Sequence, residues 1–238
     1  MQLARRVAYW ARQLMNRVYY RAVGRDRRPV FFDIANTSPA LLQVERHYEA
    51  IRTELHAVLR QPATIPRYHE IDDAQRSYSA GERAWRVLFI HLYGVAEPLP
   101  LAERLPRTAA LLRQIPGVLQ AFFSILEPHK GVAAHCGQYL GALRYHMAFV
   151  VPRDHPPRMR IKDSHYEWRE REAVLFDDSW EHEVHNDSAS LRVVLIIDVM
   201  RPMPWPLHVC NLAMRELLFC RALTGPAVAK MPRPRRRA

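Results

Sequence analysis

The stretch AVLFDDSWEHEVHNDSASLRVVLIIDVMRP at residues 173–202 decides the fold. It follows GALRYHMAFVVP at 141–152 and FFSILEPHKGVAAHCG at 122–137. In all three, short Val-, Leu- and Ile-rich runs are separated by Asp, Asn, Gly or Pro. Several such runs in succession are typical of a β-sandwich or barrel. Because helical patterns precede them, we predict an α+β fold in which helices buttress one face of a barrel.

The element pattern divides the chain into a mainly helical first half and a β-rich second half. We predict strands at 85–93, 118–126, 140–151, 159–161, 165–168, 173–176 and 191–199, after a short β-type run at 28–34. Helices are expected at 2–23, from Ser38-Pro39 to residue 60, at 106–114 and at 214–223. Residues 69–84 are polar and mixed, and they are expected to lie at the surface.

The net charge of +11 lies at the two ends of the chain. Residues 1–30 carry +7 and residues 230–238 carry +5, which leaves about −1 for the rest. A near-neutral body argues against a DNA-reading face, so no nucleic-acid partner is expected. At 238 residues we predict a single domain at 31–225 with its core at 118–205, preceded by a basic amphipathic segment at 1–30 and followed by a basic tail at 226–238.

Cysteine usage and hydropathy indicate the compartment. Cys136, Cys210 and Cys220 are too few and too irregular for a disulfide framework or a Cys-rich zinc site. A reducing, cytoplasmic location is therefore expected. The chain has no uncharged apolar run of about 18 residues and no secretory signal core, so neither a spanning helix nor export is predicted.

The first helix is amphipathic and rich in arginine. Its apolar residues, at 4-3-4-4 spacing, are Leu3, Val7, Trp10, Leu14 and Val18. Arg5 and Arg12 project from the opposite side, while Arg6 and Arg17 flank the stripe. Such a helix fits the headgroup region of an anionic membrane, at the inner face. The alternative is that the stripe packs on the domain.

Two histidines near apolar runs are candidate metal ligands. His135 and His182 lie 47 positions apart, and neutral imidazole is a good ligand for Fe(II). Iron oxygenases usually add an aspartate two residues after the first histidine, but this chain has Gly137 there. From spacing alone the metal signal is weak.

A lone arginine in an apolar strand is the third candidate. Arg192 precedes Val-Val-Leu-Ile-Ile, and a buried charge must be paired or must bind an anion. A guanidinium binds a carboxylate through two parallel hydrogen bonds. Asp198 and Glu183 are the possible internal partners, and the spacing leaves both explanations open. In a neighbouring predicted strand, Arg144 and His146 share one face.

Four motifs now occur in order: HCG, LRYHMAFVVP, VLFDDSWEHEVHNDS and LRVVLIIDVMRP. With them, residues 124–202 resemble the aspartyl/asparaginyl β-hydroxylase family. These are Fe(II)- and 2-oxoglutarate-dependent dioxygenases on a double-stranded β-helix, a jelly-roll or cupin-like barrel. Bacterial lipid A and ornithine-lipid hydroxylases are relatives.

The resemblance implies a catalytic iron site and a cosubstrate clamp. His135 and His182 match the iron-binding histidines. Arg192 matches the arginine that binds the distal carboxylate of 2-oxoglutarate, assisted by Ser124. The implied cofactors are Fe(II), 2-oxoglutarate and O2.

Further motif residues are assigned by the same resemblance. Arg144 and His146 match residues near the other end of the cosubstrate or near the substrate. Asp177, Asp178 and Glu183 are expected to orient His182 or to form the turn before it.

Gly137 bears on the implied substrate. Eukaryotic protein hydroxylases of the family also lack the carboxylate ligand, whereas lipid-modifying relatives tend to keep an aspartate there. We therefore predict hydroxylation of an unactivated C–H bond, at the β-carbon of an aspartyl or asparaginyl residue in a peptide, protein or carrier-bound amino acid. One alternative is a fatty acyl chain of lipid A or ornithine lipid, which the amphipathic start favours. An alternative of another class is an inactive barrel that binds an anionic membrane or partner through its basic ends.

Overall fold

The β-strands define the architecture of the chain. The computed structural model describes residues 2–61, 64–79, 83–95, 99–219 and 221–231. Within these residues the strands are β1 (Phe31–Phe32), β2 (Trp85–Leu92), β3 (Val118–Leu126), β4 (Val132–His135), β5 (Ala142–Val150), β6 (Arg158–Ile161), β7 (Ser164–Glu167), β8 (Ala173–Phe176), β9 (His182–His185) and β10 (Arg192–Met200).

The strands from β3 to β10 pair as one long antiparallel hairpin that folds over on itself. β3 pairs with β10, β4 with β9, β5 with β8 and β6 with β7. The result is a six-stranded sheet in the order β1-β8-β5-β10-β3-β2 and a four-stranded sheet in the order β4-β9-β6-β7. This pairing is that of a double-stranded β-helix, and it confirms the predicted α+β, cupin-like fold.

Helices cover the outer face of the six-stranded sheet. The helices are α1 (Gln2–Ala22), α2 (Ile34–Thr37), α3 (Leu42–Arg46), α4 (Tyr48–Leu59), α5 (Tyr68–Ile71), α6 (Arg76–Ser79), α7 (Pro106–Gln114), α8 (Leu207–Leu218) and α9 (Arg221–Lys230). Tyr48 of α4 stacks on Phe149 of β5 with ring centroids 4.7 Å apart. The central strands are buried on both faces, so the expected buttressing by helices is confirmed.

Several predicted boundaries differ from the structure. The helix expected from 39 to 60 is interrupted at His47, and only Phe31–Phe32 of the run at 28–34 is a strand. Residues 69–84, for which no element was predicted, include most of α5 and all of α6. The last predicted helix, 214–223, lies across α8 and α9, and α9 includes residues 226–230 of the predicted tail. Residues 232–238 and Cys220 lie outside the described residues.

The first helix is as long as expected, but its apolar stripe does not pack on the domain. All five stripe residues are exposed, whereas Ala8 and Tyr19 on another face are buried. The alternative that the stripe packs on the domain is therefore wrong. Within the described ranges, no helix combines the length and apolar character that crossing a bilayer requires.

A buried carboxylate ties the N-terminal segment to the barrel. Asp177 follows β8 and is fully buried; its Oδ2 lies 3.0 Å from Arg28 Nε and 2.6 Å from Arg201 Nη2. Its Oδ1 accepts a hydrogen bond from the Ser179 backbone N–H at 3.1 Å. The one carboxylate is thus shared by two buried guanidinium groups, one before the first strand and one after the last.

We expect Asp177→Asn to lower the free energy of unfolding by about 3–5 kcal/mol, because it leaves two buried arginines without a counter-charge. Urea unfolding measures the change. Asp187→Asn is the control, since Asp187 pairs with Arg158 at 3.0 Å where both side chains are more than half exposed, and its loss should cost under about 1 kcal/mol. Equal losses for the two variants would contradict the account.

Candidate active site

The register of one strand pair brings the two candidate histidines together. β4 ends at His135 and β9 begins at His182, and antiparallel pairing places these residues opposite each other. Their ring centroids are 4.2 Å apart. The 46 intervening residues form strands β5 to β8 and their connections, so two residues that are distant in sequence become direct neighbours in the fold.

Backbone carbonyls fix the tautomer of both rings. The Nδ1 of His135 lies 2.8 Å from the carbonyl oxygen of Ala133, and that of His182 lies 2.9 Å from the carbonyl oxygen of Trp180. A carbonyl only accepts, so each Nδ1 carries the proton and each lone pair lies on Nε2. Burial lowers the pKa of both rings, that of His182 to about 3. Both are therefore neutral, the form that binds a metal.

This arrangement corrects one expectation about the carboxylates. Asp177 binds the two buried arginines, and Glu183 pairs with Arg160 at 2.9 Å. His182 is oriented instead by the hydrogen bond that its Nδ1–H donates to the Trp180 carbonyl oxygen. The three motif carboxylates do not hydrogen-bond to the His182 ring.

The space directly beside Gly137 is occupied by the side chain of Asp178. A Cβ built on Gly137 would overlap the carboxylate of Asp178, and the Gly137 N–H donates to the Asp178 backbone carbonyl at 2.7 Å. Burial raises the pKa of Asp178 to about 6, against the attraction of Arg144 at 3.2 Å. Among the described residues no three His, Cys, Asp or Glu side chains form a complete metal-binding group. The protein thus offers two imidazoles, with a carboxylate packed on the strand end beside them.

Arg192 is buried without a full set of partners. It is 1% exposed, and its guanidinium lies 4.0 Å from the centre of the Trp168 ring. Nη1 donates to Ser124 Oγ at 3.3 Å, and that hydroxyl also accepts from Trp85 Nε1 at 3.0 Å. Nε and Nη2 have no hydrogen-bond partner.

The internal carboxylates proposed as partners are engaged elsewhere. Asp198 accepts two hydrogen bonds from Arg144, at 2.7 and 2.9 Å, and Glu183 is held by Arg160. In the described part of the chain, Arg192 has no ion pair. Burial lowers its pKa to about 9, which still leaves it charged at neutral pH. An external anion is the explanation that remains.

Other unpaired polar groups surround the same point. Both ring nitrogens of His146, the hydroxyl of Tyr166 and the indole N–H of Trp168 are buried without partners. The rings of His146 and Tyr166 each lie 5.9 Å from that of Trp168. Burial and the charge of Arg192 hold the pKa of His146 well below its usual value. Such a cluster fits a polar ligand such as a dicarboxylate, because leaving these groups unpaired is costly.

Tyr166 and Trp168 were not identified as site residues from the sequence. They lie two positions apart, so a strand directs them to one face. Their combination of an apolar ring with a polar tip was the available signal.

Arg144 occupies a different position from Arg192. Burial opposes its charge, but Asp178 and Asp198 outweigh that effect and raise its pKa. It lines a cavity of about 650 Å³ together with His135 and Asp178. Arg5, Ala8, Tyr9 and Arg12 of α1 line the same cavity.

Comparison with known proteins identifies this double-stranded β-helix as a hydroxylase domain. The model of the family "Aspartyl/Asparaginyl beta-hydroxylase" matches residues 45–202, about two thirds of the chain. The chain belongs to this family.

Two curated relatives differ in substrate. The chain is 34% identical to the ornithine lipid ester-linked acyl 2-hydroxylase of Rhizobium tropici over 212 residues, which cover 89% of this chain and 73% of that protein. It is 34% identical to the aspartyl/asparaginyl beta-hydroxylase of Homo sapiens over 102 residues, 41% of this chain but only 13% of that protein.

Among solved structures, a prolyl-4-hydroxylase from Pseudomonas putida is similar at a TM-score of 0.41 and 16% identity, covering 65% of this chain and 87% of that one. A likeness this weak carries no weight for function.

We expect Gly137→Ala to lower the free energy of unfolding by about 1–3 kcal/mol, because the new Cβ displaces the Asp178 carboxylate. Gly137→Ala combined with Asp178→Ala should cost less than the sum of the single changes, since the overlap is then gone. Gly225→Ala is the matched control, because a Cβ there meets nothing within 4 Å. Additive losses, measured by urea unfolding, would refute the proposed contact.

Proposed function

We propose that this protein is an Fe(II)- and 2-oxoglutarate-dependent dioxygenase that hydroxylates the fatty acyl chain of an amino-acid-bearing membrane lipid. The observation that carries the cosubstrate assignment is the buried, partly unpaired guanidinium of Arg192 within the same barrel as the paired imidazoles. Either feature alone has structural explanations, whereas together they match the needs of a metal ion and a carboxylate.

Different residues of the chain would hold the iron and the 2-oxoglutarate. His135 and His182 would bind the ferrous ion through Nε2, since their Nδ1 atoms are committed to carbonyls. Bound iron and 2-oxoglutarate supply the oxidation of a C–H bond by O2, with succinate and carbon dioxide as coproducts. Asp178 would stay beside the iron as a buried hydrogen-bond acceptor.

Arg192 and its neighbours would hold the cosubstrate. The guanidinium has two unused nitrogens, Nε and Nη2, which suit a carboxylate. Ser124 holds Nη1 and steadies the group, while Trp168 covers its face and excludes water. His146, neutral and unpaired, would offer a further hydrogen bond. A dry site strengthens each of these contacts.

The lipid substrate is favoured by the extent of the similarity. The match to the lipid hydroxylase covers 89% of this chain, so it extends well outside residues 45–202. The match to the protein hydroxylase covers 41%. Gly137 stands on the other side, because in the described residues no carboxylate completes a metal-binding group with the two histidines.

The second candidate is β-hydroxylation of an aspartyl or asparaginyl side chain. The family's name supports this candidate, and so does Gly137, which matches the two-histidine pattern of the protein hydroxylases. The Arg144 guanidinium in the cavity wall suits a substrate carboxylate, although Asp178 and Asp198 already hold it.

One experiment separates these candidates. Purified protein is incubated with ferrous iron, ascorbate and 2-oxoglutarate, either with ornithine-lipid vesicles or with an Asp/Asn-containing peptide. We expect succinate and a mass gain of about 16 Da, the mass of one oxygen atom, on the lipid acyl chain. A gain on the peptide alone would replace the lipid by the second candidate. No succinate with either substrate, or with a whole-cell extract, would favour the inactive barrel.

We expect His135→Ala and His182→Ala each to abolish succinate formation and to weaken iron binding measured by equilibrium dialysis, because each removes an iron ligand. His185→Ala is the control. It changes the same strand, but His185 is 43% exposed and lies beside Glu183 on the other face. Full turnover in both ligand variants would rule out the metal assignment.

A further inference from the structure

The outward face of α1 is an apolar surface without a partner in the chain. Its members, Leu3, Val7, Trp10, Leu14 and Val18, are each between 40% and 74% exposed. From Leu3 to Val18 they form a stripe about 23 Å long. Contiguous apolar surface of this size marks a binding face on a soluble domain.

The stripe cannot turn inward, because the opposite face of α1 is fixed to the barrel. Asn16 donates from its side-chain amide to the Gln138 carbonyl at 2.8 Å and accepts from the Leu140 N–H at 3.0 Å. Tyr19 is buried against Tyr139, with ring centroids 6.1 Å apart. These contacts pin α1 to the loop directly after His135-Cys136-Gly137.

The charges on α1 identify what the stripe contacts. The helix has five arginines and no acidic residue. Arg6, Arg17 and Arg21 are exposed beside the stripe and have no ion pair within the described chain. A second copy of this chain would bring like charges together across a shared stripe, whereas an anionic lipid surface is complementary to both the charge and the apolar character. Trp10, in edge contact with Tyr9 at 5.3 Å, is a side-chain type enriched at the headgroup level.

We propose that the outward face of α1 seats the protein peripherally on an anionic lipid bilayer. The inward face of the same helix, with Arg5, Ala8, Tyr9 and Arg12, lines the cavity that also contains His135. Seating α1 on the bilayer therefore brings the cavity wall to the lipid surface. The inference deepens the proposed lipid substrate but does not require it, since a seated protein need not hydroxylate the lipid it binds.

Flotation of the full chain with vesicles tests the proposal. Wild-type protein should float with vesicles that contain phosphatidylglycerol and at least tenfold less with phosphatidylcholine alone. The combined variant Val7→Ser, Trp10→Ser, Leu14→Ser should lose at least tenfold of the binding, and so should Arg6→Gln, Arg17→Gln, Arg21→Gln. The matched control is Arg60→Gln, Arg107→Gln, Arg113→Gln, which removes three exposed arginines from the helical layer around α4 and α7 and should bind as wild type.

Two results would contradict the proposal. Undiminished binding by the stripe variant would overturn the proposal, and so would a wild-type dimer that the stripe variant dissociates in sedimentation velocity. Thermal unfolding midpoints check that the variants are folded. Substitutions at exposed positions should leave these midpoints within a few degrees of wild type. The stripe variant should still form succinate on detergent-dispersed substrate, so a loss of seating is distinguishable from a failure of the proposed function.

Discussion

The candidate site depends on a charge that the described part of the protein does not balance by itself. Arg192 lies on a central strand, 1% exposed, with two nitrogens unpaired. The two carboxylates considered as internal partners pair with other arginines, Asp198 with Arg144 and Glu183 with Arg160. A buried cation with vacant donors lowers stability unless an anion arrives. A site of this kind makes the unliganded protein less stable, and binding of a carboxylate would restore that stability.

The barrel topology explains why this cation and the histidines share one interior. Pairing β4 with β9 puts His135 opposite His182, while β10 carries Arg192 in the facing sheet. Phe176 touches both sides, since its ring lies 4.8 Å from that of His146 and 6.1 Å from that of His182. The two imidazoles and the buried guanidinium thus come from opposite sheets, and the folding of the hairpin over on itself brings them into one interior.

Part of this arrangement is predictable from sequence, and the rest depends on three-dimensional packing. The helix at 106–114 and the strands at 118–126 and 173–176 occur at the predicted bounds because strong apolar patterns and proline signals define them. The strands β4 and β9 are not predicted, because each has only four residues and a single Val as its strand-favouring residue. Asp178 beside Gly137 comes from a different strand end, so no spacing rule reveals it.

The exposed stripe of α1 shows a second limit of prediction from sequence. Its periodicity predicts a helix, yet periodicity does not say which face the domain uses. Asn16 and Tyr19, which are not part of the stripe, make that choice through hydrogen bonding and burial. The helix therefore separates an inner face toward the cavity from an outer face toward the surroundings.

The most direct test of the central claim is the stability of Arg192→Met, measured anaerobically by urea unfolding with and without ferrous iron and 2-oxoglutarate. Without ligand, the variant should be more stable than wild type by roughly 1–3 kcal/mol, because an unbalanced buried charge is gone. Added 2-oxoglutarate should stabilise the wild type and leave the variant unchanged. A loss of about 3–5 kcal/mol in the unliganded variant, as expected for a broken buried ion pair, would contradict the account.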